Sequence, residues 1–169
     1  MRQGTLTAAL AVAVIGCARE RPQPVQIGQP APRYAATTLA GDSASIGGLA
    51  GKVVLLNIWA TWCHPCREEI PYLETLYEKH RADGFDIVGV SVDARGQDAE
   101  IRDFVKEFRM TYPIWRDPDE RIQSTFLALG VPASYLIDRQ GVLRWRRIGV
   151  IRAGDTTLSR ALTDALAAR

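Results

Sequence analysis

The feature that most constrains this chain is the passage from Val53 to Pro71, VVLLNIWATWCHPCREEIP. Its first part, Val53 to Ala60, is apolar except for Asn57, which is the pattern of a strand buried on both faces. Cys63 and Cys66 follow within six residues of that run, and from about Pro65 to His80 the apolar positions Ile70, Leu73, Leu76 and Tyr77 share one helical face. Pro71 lies inside that helix and is expected to kink it, because proline lacks the N–H that the helix would use. A strand with no polar face, running almost directly into an amphipathic helix, belongs in a layered α/β domain.

The rest of the chain repeats that alternation. Strand character returns at Phe85 to Val92, and a helix is expected from Asp98 to Arg109, where Ile101, Phe104, Val105 and Phe108 form a core-facing stripe. A short strand at Pro113 to Trp115 and a helix at Glu120 to Leu127 follow. Ser134 to Ile137 and Val142 to Ile148 read as an antiparallel pair around the turn DRQG, and Leu158, Ala161, Leu162, Ala165 and Leu166 mark a closing helix. Upstream, Tyr34 to Leu49 reads as a hairpin with its turn near Gly41 and Asp42. The expectation is a three-layer α/β/α domain with a mixed central sheet over residues 34–169. A hydrophobic fraction of 47% in 169 residues is enough for one such core.

The first residues read as an address. Met1 and Arg2 precede an apolar stretch from Leu6 to Ile15, about half the roughly 20 residues that a membrane-spanning helix needs. Residues 1–17 are therefore expected to be a signal segment. Val14-Ile15-Gly16-Cys17 resembles a bacterial lipobox, in which Cys17 would be lipidated and become the first residue of the mature chain. Residues 18–33, with four prolines and no apolar period, are expected to be a tether. With 21 Lys and Arg against 19 Asp and Glu, no strong field marks the chain as a nucleic-acid binder.

If Cys17 carries lipid, Cys63 and Cys66 are left as a pair in an oxidising, extracytoplasmic space. Cys-X-X-Cys at a helix start lets the sulfurs bridge, and the free N–H groups and positive end of the helix stabilise a thiolate on the first cysteine. Cys63 is then the nucleophile, and Cys66, one turn inside, resolves the mixed disulfide. Two plainer readings compete. A zinc site wants about four ligands, and besides the pair the chain offers only Cys17, His64 and His80 among cysteines and histidines. A purely structural bridge over so short a loop would constrain the unfolded chain little.

The string VVLLNIWATWCHPCREEIPYLETL resembles the active-site strand and helix of the thioredoxin fold, and in particular the TlpA and ResA family of membrane-tethered bacterial thiol-disulfide oxidoreductases. The likeness extends from about Ile27 to Ala168 through IGQPAPRYAATTLAGDSASIGGLAGK, FDIVGVSVDA, YPIWRDPD and GVPASYLIDRQGVLRWRRIG. It implies a thioredoxin fold with an N-terminal β-hairpin extension, Cys63 attacking and Cys66 resolving. It further implies that Pro132 is cis beside the pair, that Val131 presents backbone to an extended substrate, and that Trp62 shields the thiolate. Trp59 is expected in the core. Glu69, in CREEIP, matches a glutamate that tunes the cysteines, whereas Glu68 is expected only to complement the helix dipole.

His64 and Pro65, between the cysteines, pull in opposite directions. A protonated His64 would make the pair more oxidising, and Pro65 matches reducing loops. The expectation is a protein-disulfide reductase, acting as a monomer without a bound cofactor or metal and recharged by a membrane thiol donor of the DsbD or CcdA kind. Apocytochrome c is the substrate that the resemblance suggests. Disulfide oxidation or isomerisation is the alternative direction. A peroxiredoxin-like peroxidase is disfavoured, since P-x-x-x-T-x-x-C would need proline at 56 and threonine at 60, where Leu56 and Ala60 stand. A non-catalytic lipoprotein that binds partners beside Pro132 is the remaining alternative.

Overall fold

The structure, a computed structural model, describes residues 25–168. The expected signal segment, Cys17 and the first part of the tether lie outside the described residues. The expected hairpin is β1 (Ala35–Thr38) and β2 (Ser43–Ser45), paired antiparallel. The apolar run is β3 (Val53–Trp59), followed by α1 (His64–His80), β4 (Phe85–Ser91), α2 (Asp98–Glu107), β5 (Ile114–Arg116) and α3 (Arg121–Phe126). An antiparallel pair, β6 (Ala133–Ile137) and β7 (Leu143–Ile148), and the closing helix α4 (Thr156–Ala167) complete the fold.

These strands form one mixed sheet in the order β2-β1-β5-β4-β3-β6-β7. β3 is parallel to β4 and antiparallel to β6, so it is paired on both edges, and all seven of its residues are buried. Burying a Val, Leu or Ile contributes about 1.5–3 kcal/mol each. The unbroken apolar run is thus what a central strand requires.

Side-chain contacts assign the layers. Asn57 and Trp59, two apart on β3, point to one face, where Asn57 bonds Glu69 of α1 and Trp59 packs on Phe104 of α2 at 4.7 Å between ring centres. Trp145 of β7 donates to Thr157 of α4 at 3.0 Å on that same face, since its partner Leu136 lies two residues from Ser134, which also bonds Asn57. The opposite face carries Tyr135, packed on Phe126 of α3 at 4.9 Å. Three helices therefore cover one side and α3 the other, giving the expected α/β/α thioredoxin fold with its hairpin extension.

Two local expectations change. α1 runs through Pro71 without a break, its packed face outweighing one absent N–H. The tether does not extend to Arg33. Val25 is buried, Gly28 donates its N–H to the Leu143 carbonyl at 2.7 Å, and Pro30 bridges Val142, so residues 25–31 lie along β7. Proline content in this stretch marks an extended strand-edge segment, because proline tolerates a sheet edge where its missing N–H faces outward.

Candidate active site

β3 ends at Trp59, and a turn closed by the Cys63 N–H on the Ala60 carbonyl (3.1 Å) carries the chain into α1. Cys63 is the N-cap of that helix. Its Sγ accepts from the Cys66 N–H at 3.2 Å, so its sulfur occupies the position that a capping oxygen usually fills. Cys63 and Cys66 are joined, with S–S 2.05 Å and Cα–Cα 5.3 Å. His64 and Pro65 form the first turn, where proline is favoured because that N–H has no intrahelical acceptor. On reduction, the Cys63 sulfur keeps the Cys66 N–H and the positive end of a helix of 17 residues beside it, both of which favour its thiolate. Both cysteines are buried, Cys63 at 3% exposure and Cys66, one turn inside, at 0%, so the sliver of sulfur open to solvent belongs to Cys63.

Val131–Pro132 is a cis peptide, as the resemblance implied. Its place follows from register: Ala133 pairs with Ile58, so the two preceding residues run beside the end of β3, where the cysteine turn begins. Around this end of the sheet the three most exposed large apolar side chains among the described residues are Trp62 at 64%, Leu127 at 61% and Leu129 at 94%, with Ile148, opposite Ala133, at 47%. Leu127 takes a left-handed conformation, φ 53°, that stops α3. Of these three, only Trp62 is singled out by sequence. A leucine in an ALG loop carries no periodic signal that distinguishes outside from inside.

Glu69 is not a surface acid. It is wholly buried, and its carboxylate accepts from Asn57 Nδ2 at 2.8 Å and from the Ile151 N–H, just before α4, at 2.7 Å. Burial pushes its carboxyl up to about 7, with the two donors opposing. Asn57 Nδ2 also donates to Ser134 Oγ at 2.9 Å, and Asn57 Oδ1 has no partner. One network therefore ties α1, β3, β6 and the approach to α4 together behind the cysteines. A carboxyl near 7, on the helix face of Cys66 three residues on, can take or return a proton at neutral pH. Asn57 itself cannot, and nothing in its local sequence marks it as the residue that orients the group that can.

His64 stands outside this network. Its side chain is 86% exposed, with Glu68 as its neighbour at 3.9 Å, so solvent screens any pull on Cys63. The expectation that His64 competes with Pro65 in setting the pair is not supported by this placement. Trp59 is wholly buried, as expected. Among the described residues no group of three or more His, Cys, Asp or Glu is disposed to hold a metal ion.

Another of the buried carboxylates, close to the cysteine turn, has no counterpart among the sequence expectations. Asp93, 1% exposed and two residues beyond β4, accepts from the Thr61 N–H at 3.1 Å, from the Thr61 hydroxyl at 2.6 Å and from the Ser91 hydroxyl at 2.8 Å. Its clue is the polar alternation S-V-D that follows the apolar stretch Ile87 to Val90.

Comparison with known proteins accords with this geometry. Residues 27–146 match the AhpC/TSA family. The thiol-disulfide oxidoreductase ResA of Bacillus cereus is 36% identical over 125 residues, covering 74% of this chain and 71% of the relative. The thioredoxin-like protein YneN of Bacillus subtilis is 36% identical over 128 residues, covering 75% and 74%. The crystal structure of a thiol:disulfide interchange protein of the thioredoxin family from Chlorobium tepidum superposes with a TM-score of 0.69 at 28% identity, covering 88% of this chain and 99% of that one. With a redox-active cysteine pair capping the first helix of a thioredoxin fold, the chain belongs to the ResA and TlpA-like thiol-disulfide oxidoreductases within the AhpC/TSA family.

Proposed function

We propose that this oxidoreductase works as a reductase of protein disulfides outside the cytoplasm, held to a membrane by lipid on Cys17. The observation that carries the chemistry is the Cys63–Cys66 pair on the α1 N-cap with buried Glu69 three residues behind Cys66. In the reduced protein the Cys63 thiolate attacks one sulfur of a substrate disulfide, and the other sulfur leaves as a thiolate. Cys66 gives its proton to the Glu69 carboxylate and attacks Cys63 Sγ. The Cys63–substrate bond breaks, the second substrate sulfur departs as a thiolate, and Cys63–Cys66 forms. Two electrons have passed to the substrate, whose thiolates take up two protons, one returned by Glu69 and one from water.

Val131 and Pro132, which precede the Ala133–Ile58 pairing, and Trp62 in the turn after β3 are the residues against which an extended substrate would lie, paired through backbone as an added strand. Disulfide-bonded apocytochrome c is the substrate class that the family likeness suggests, and a membrane thiol donor of the DsbD or CcdA kind would restore the dithiol. The peroxidase alternative gains nothing, since Leu56 and Ala60 are buried apolar residues where that chemistry needs proline and threonine. A Cys66→Ser variant tests the reading. Attack at Cys63 without resolution should accumulate a mixed disulfide with a protein substrate, released by dithiothreitol and absent from the Cys63→Ser/Cys66→Ser double variant. Free Cys63 thiol with no adduct, in cells where the parent protein cycles between oxidised and reduced forms, would overturn it.

A further inference from the structure

Asp93 has no part in the proton and sulfur transfers just described, yet it is a buried carboxylate without a cationic partner among the described residues. The side chains and N–H groups that donate to it come from two residues, Ser91 at the end of β4 and Thr61 in the turn that precedes Cys63. The Thr61 N–H is held by both carboxylate oxygens at 3.1 Å, and the hydroxyl adds the shorter bond at 2.6 Å. Thr61 is the second residue of the turn closed from Cys63 N–H to Ala60 carbonyl, and the Val92 N–H bonds the Trp59 carbonyl at 3.0 Å just before it. This short crossing is thereby fixed to the end of β4 at two points. What it carries is Trp62, exposed, and Cys63, whose sulfur must sit on the α1 N-terminus to meet the Cys66 N–H.

We propose that Asp93 is a positioning residue for disulfide exchange: by clamping Thr61 it holds the turn that seats the Cys63 sulfur against the helix N-terminus. The proposal rests on the assignment of Cys63 as the attacking sulfur. A carboxylate that acts by position and one that acts by charge predict opposite signs. A loosened turn withdraws the thiolate from the Cys66 N–H and the helix N-terminus and raises the pH at which Cys63 becomes reactive. Loss of a nearby negative charge would lower that pH. Asp93→Asn separates the two, because the amide oxygen can still accept from Thr61 while its nitrogen donates to Ser91 Oγ, with the charge gone. Asp93→Ala removes clamp and charge together. The other charged and titratable groups on the elements around the pair are unchanged in both variants: His64, Arg67, Glu68 and Glu69 on α1, and the Arg95–Asp119 ion pair beyond β4. Pro132 on the β6 side does not titrate.

The test is the pH profile of Cys63 alkylation by iodoacetamide in the reduced full-length protein. Urea unfolding of the oxidised form is measured alongside. Asp93→Asn should track the parent. Asp93→Ala should react about tenfold more slowly near neutral pH, as a rise of about one unit in the thiol's pKa does, with its profile displaced to higher pH. Thr61→Val, which removes the hydroxyl and keeps the N–H, should fall between them and serves if Asp93→Ala does not fold. Profiles of Asp93→Asn and Asp93→Ala displaced together to lower pH would show an effect of charge and overturn the proposal. So would profiles of Asp93→Ala and Thr61→Val that both overlay the parent. If instead single Cys63→Ser left exchange intact, the failure would lie in the assignment of the nucleophile and not in the clamp.

Discussion

Replacing Glu69 by glutamine isolates what it costs to keep a carboxylate inside the network behind the cysteines. The folded chain holds its carboxyl near 7 against an ordinary value of 4.5, because burial penalises the charged form more than Asn57 and Ile151 relieve it. A group raised in this way binds its proton more tightly in the folded than in the unfolded chain. Its contribution to stability is full below about pH 4.5, is lost as pH rises to about 7, and does not change further above that. At about 1.4 kcal/mol per pH unit over that interval, the loss amounts to roughly 3 kcal/mol.

Glutamine removes the titration and keeps the shape. Asn57 Oδ1 has no partner in the parent, so a half-turn of the Asn57 amide brings that oxygen to the amide nitrogen of the introduced glutamine, whose carbonyl still accepts from the Ile151 N–H. The half-turn leaves Asn57 Nδ2 where its oxygen was, without an acceptor. That penalty is the same at every pH and drops out of a comparison of slopes. Urea unfolding of the oxidised full-length chain at several pH values between 4.5 and 8.5 measures the difference, and in the oxidised form neither Cys63 nor Cys66 titrates. With a urea dependence of about 2 kcal/mol per molar, the parent midpoint should fall by about 1.5 M more than the variant's across that range. Other carboxylates titrate in both proteins and cancel in the comparison. Parallel midpoint curves for parent and variant would mean that Glu69 titrates alike in the folded and unfolded chain, against the burial argument.

Two further substitutions probe packing and the exposed apolar rim. Gly89→Ala would place a Cβ 2.9 Å from Trp59 Nε1, 3.0 Å from Ile114 Cδ1 and 3.2 Å from Tyr112 Cε2, and such crowding should destabilise the fold by about 1–3 kcal/mol; an unchanged urea midpoint would mean that the rings move aside freely. Leu129→Asp alters a side chain at 94% exposure and should leave stability within about 0.5 kcal/mol. It should lower kcat/KM several-fold for a protein disulfide and leave the rate with a small-molecule disulfide unchanged, whereas equal effects on both would remove Leu129 from substrate contact.

How much of this is legible in the sequence depends on the kind of signal each residue sends. Val53 to Trp59 announces a central strand because burial on both faces leaves no polar alternation, and the helix after it shows its period through Ile70, Leu73 and Leu76. The cysteine pair declares its own chemistry through spacing. Glu69 is legible as an acid on the Cys66 face, but its complete burial and its hold on the Ile151 N–H depend on a residue 82 positions away, which no local pattern contains. Asp93 and Thr61 are 32 positions apart and meet only because β3 and β4 are adjacent and parallel. Proline content misleads at residues 25–33, since an edge segment and a tether share the same composition. His64 promises influence through its position between the cysteines, and its orientation into solvent is a property of the helix, not of the motif.

If the Cys63–Cys66 pair donates electrons to protein disulfides, its reduction potential has to be low, and that value can be measured. The resemblance leads to the expectation that Pro65 and Glu69 accompany a reducing pair, and exposed His64 is poorly placed to oppose them. Thioredoxin lies at about −270 mV and DsbA at about −120 mV, a gap of roughly 7 kcal/mol for two electrons, far more than one solvent-screened side chain supplies. Equilibrating the purified chain with defined ratios of reduced and oxidised glutathione, followed by acid quenching and alkylation to count free Cys63 and Cys66, gives the value. The expected potential lies nearer that of thioredoxin than that of DsbA. A value above about −180 mV, the level of protein disulfide isomerase, would contradict it and make the pair a source of disulfides for its partners.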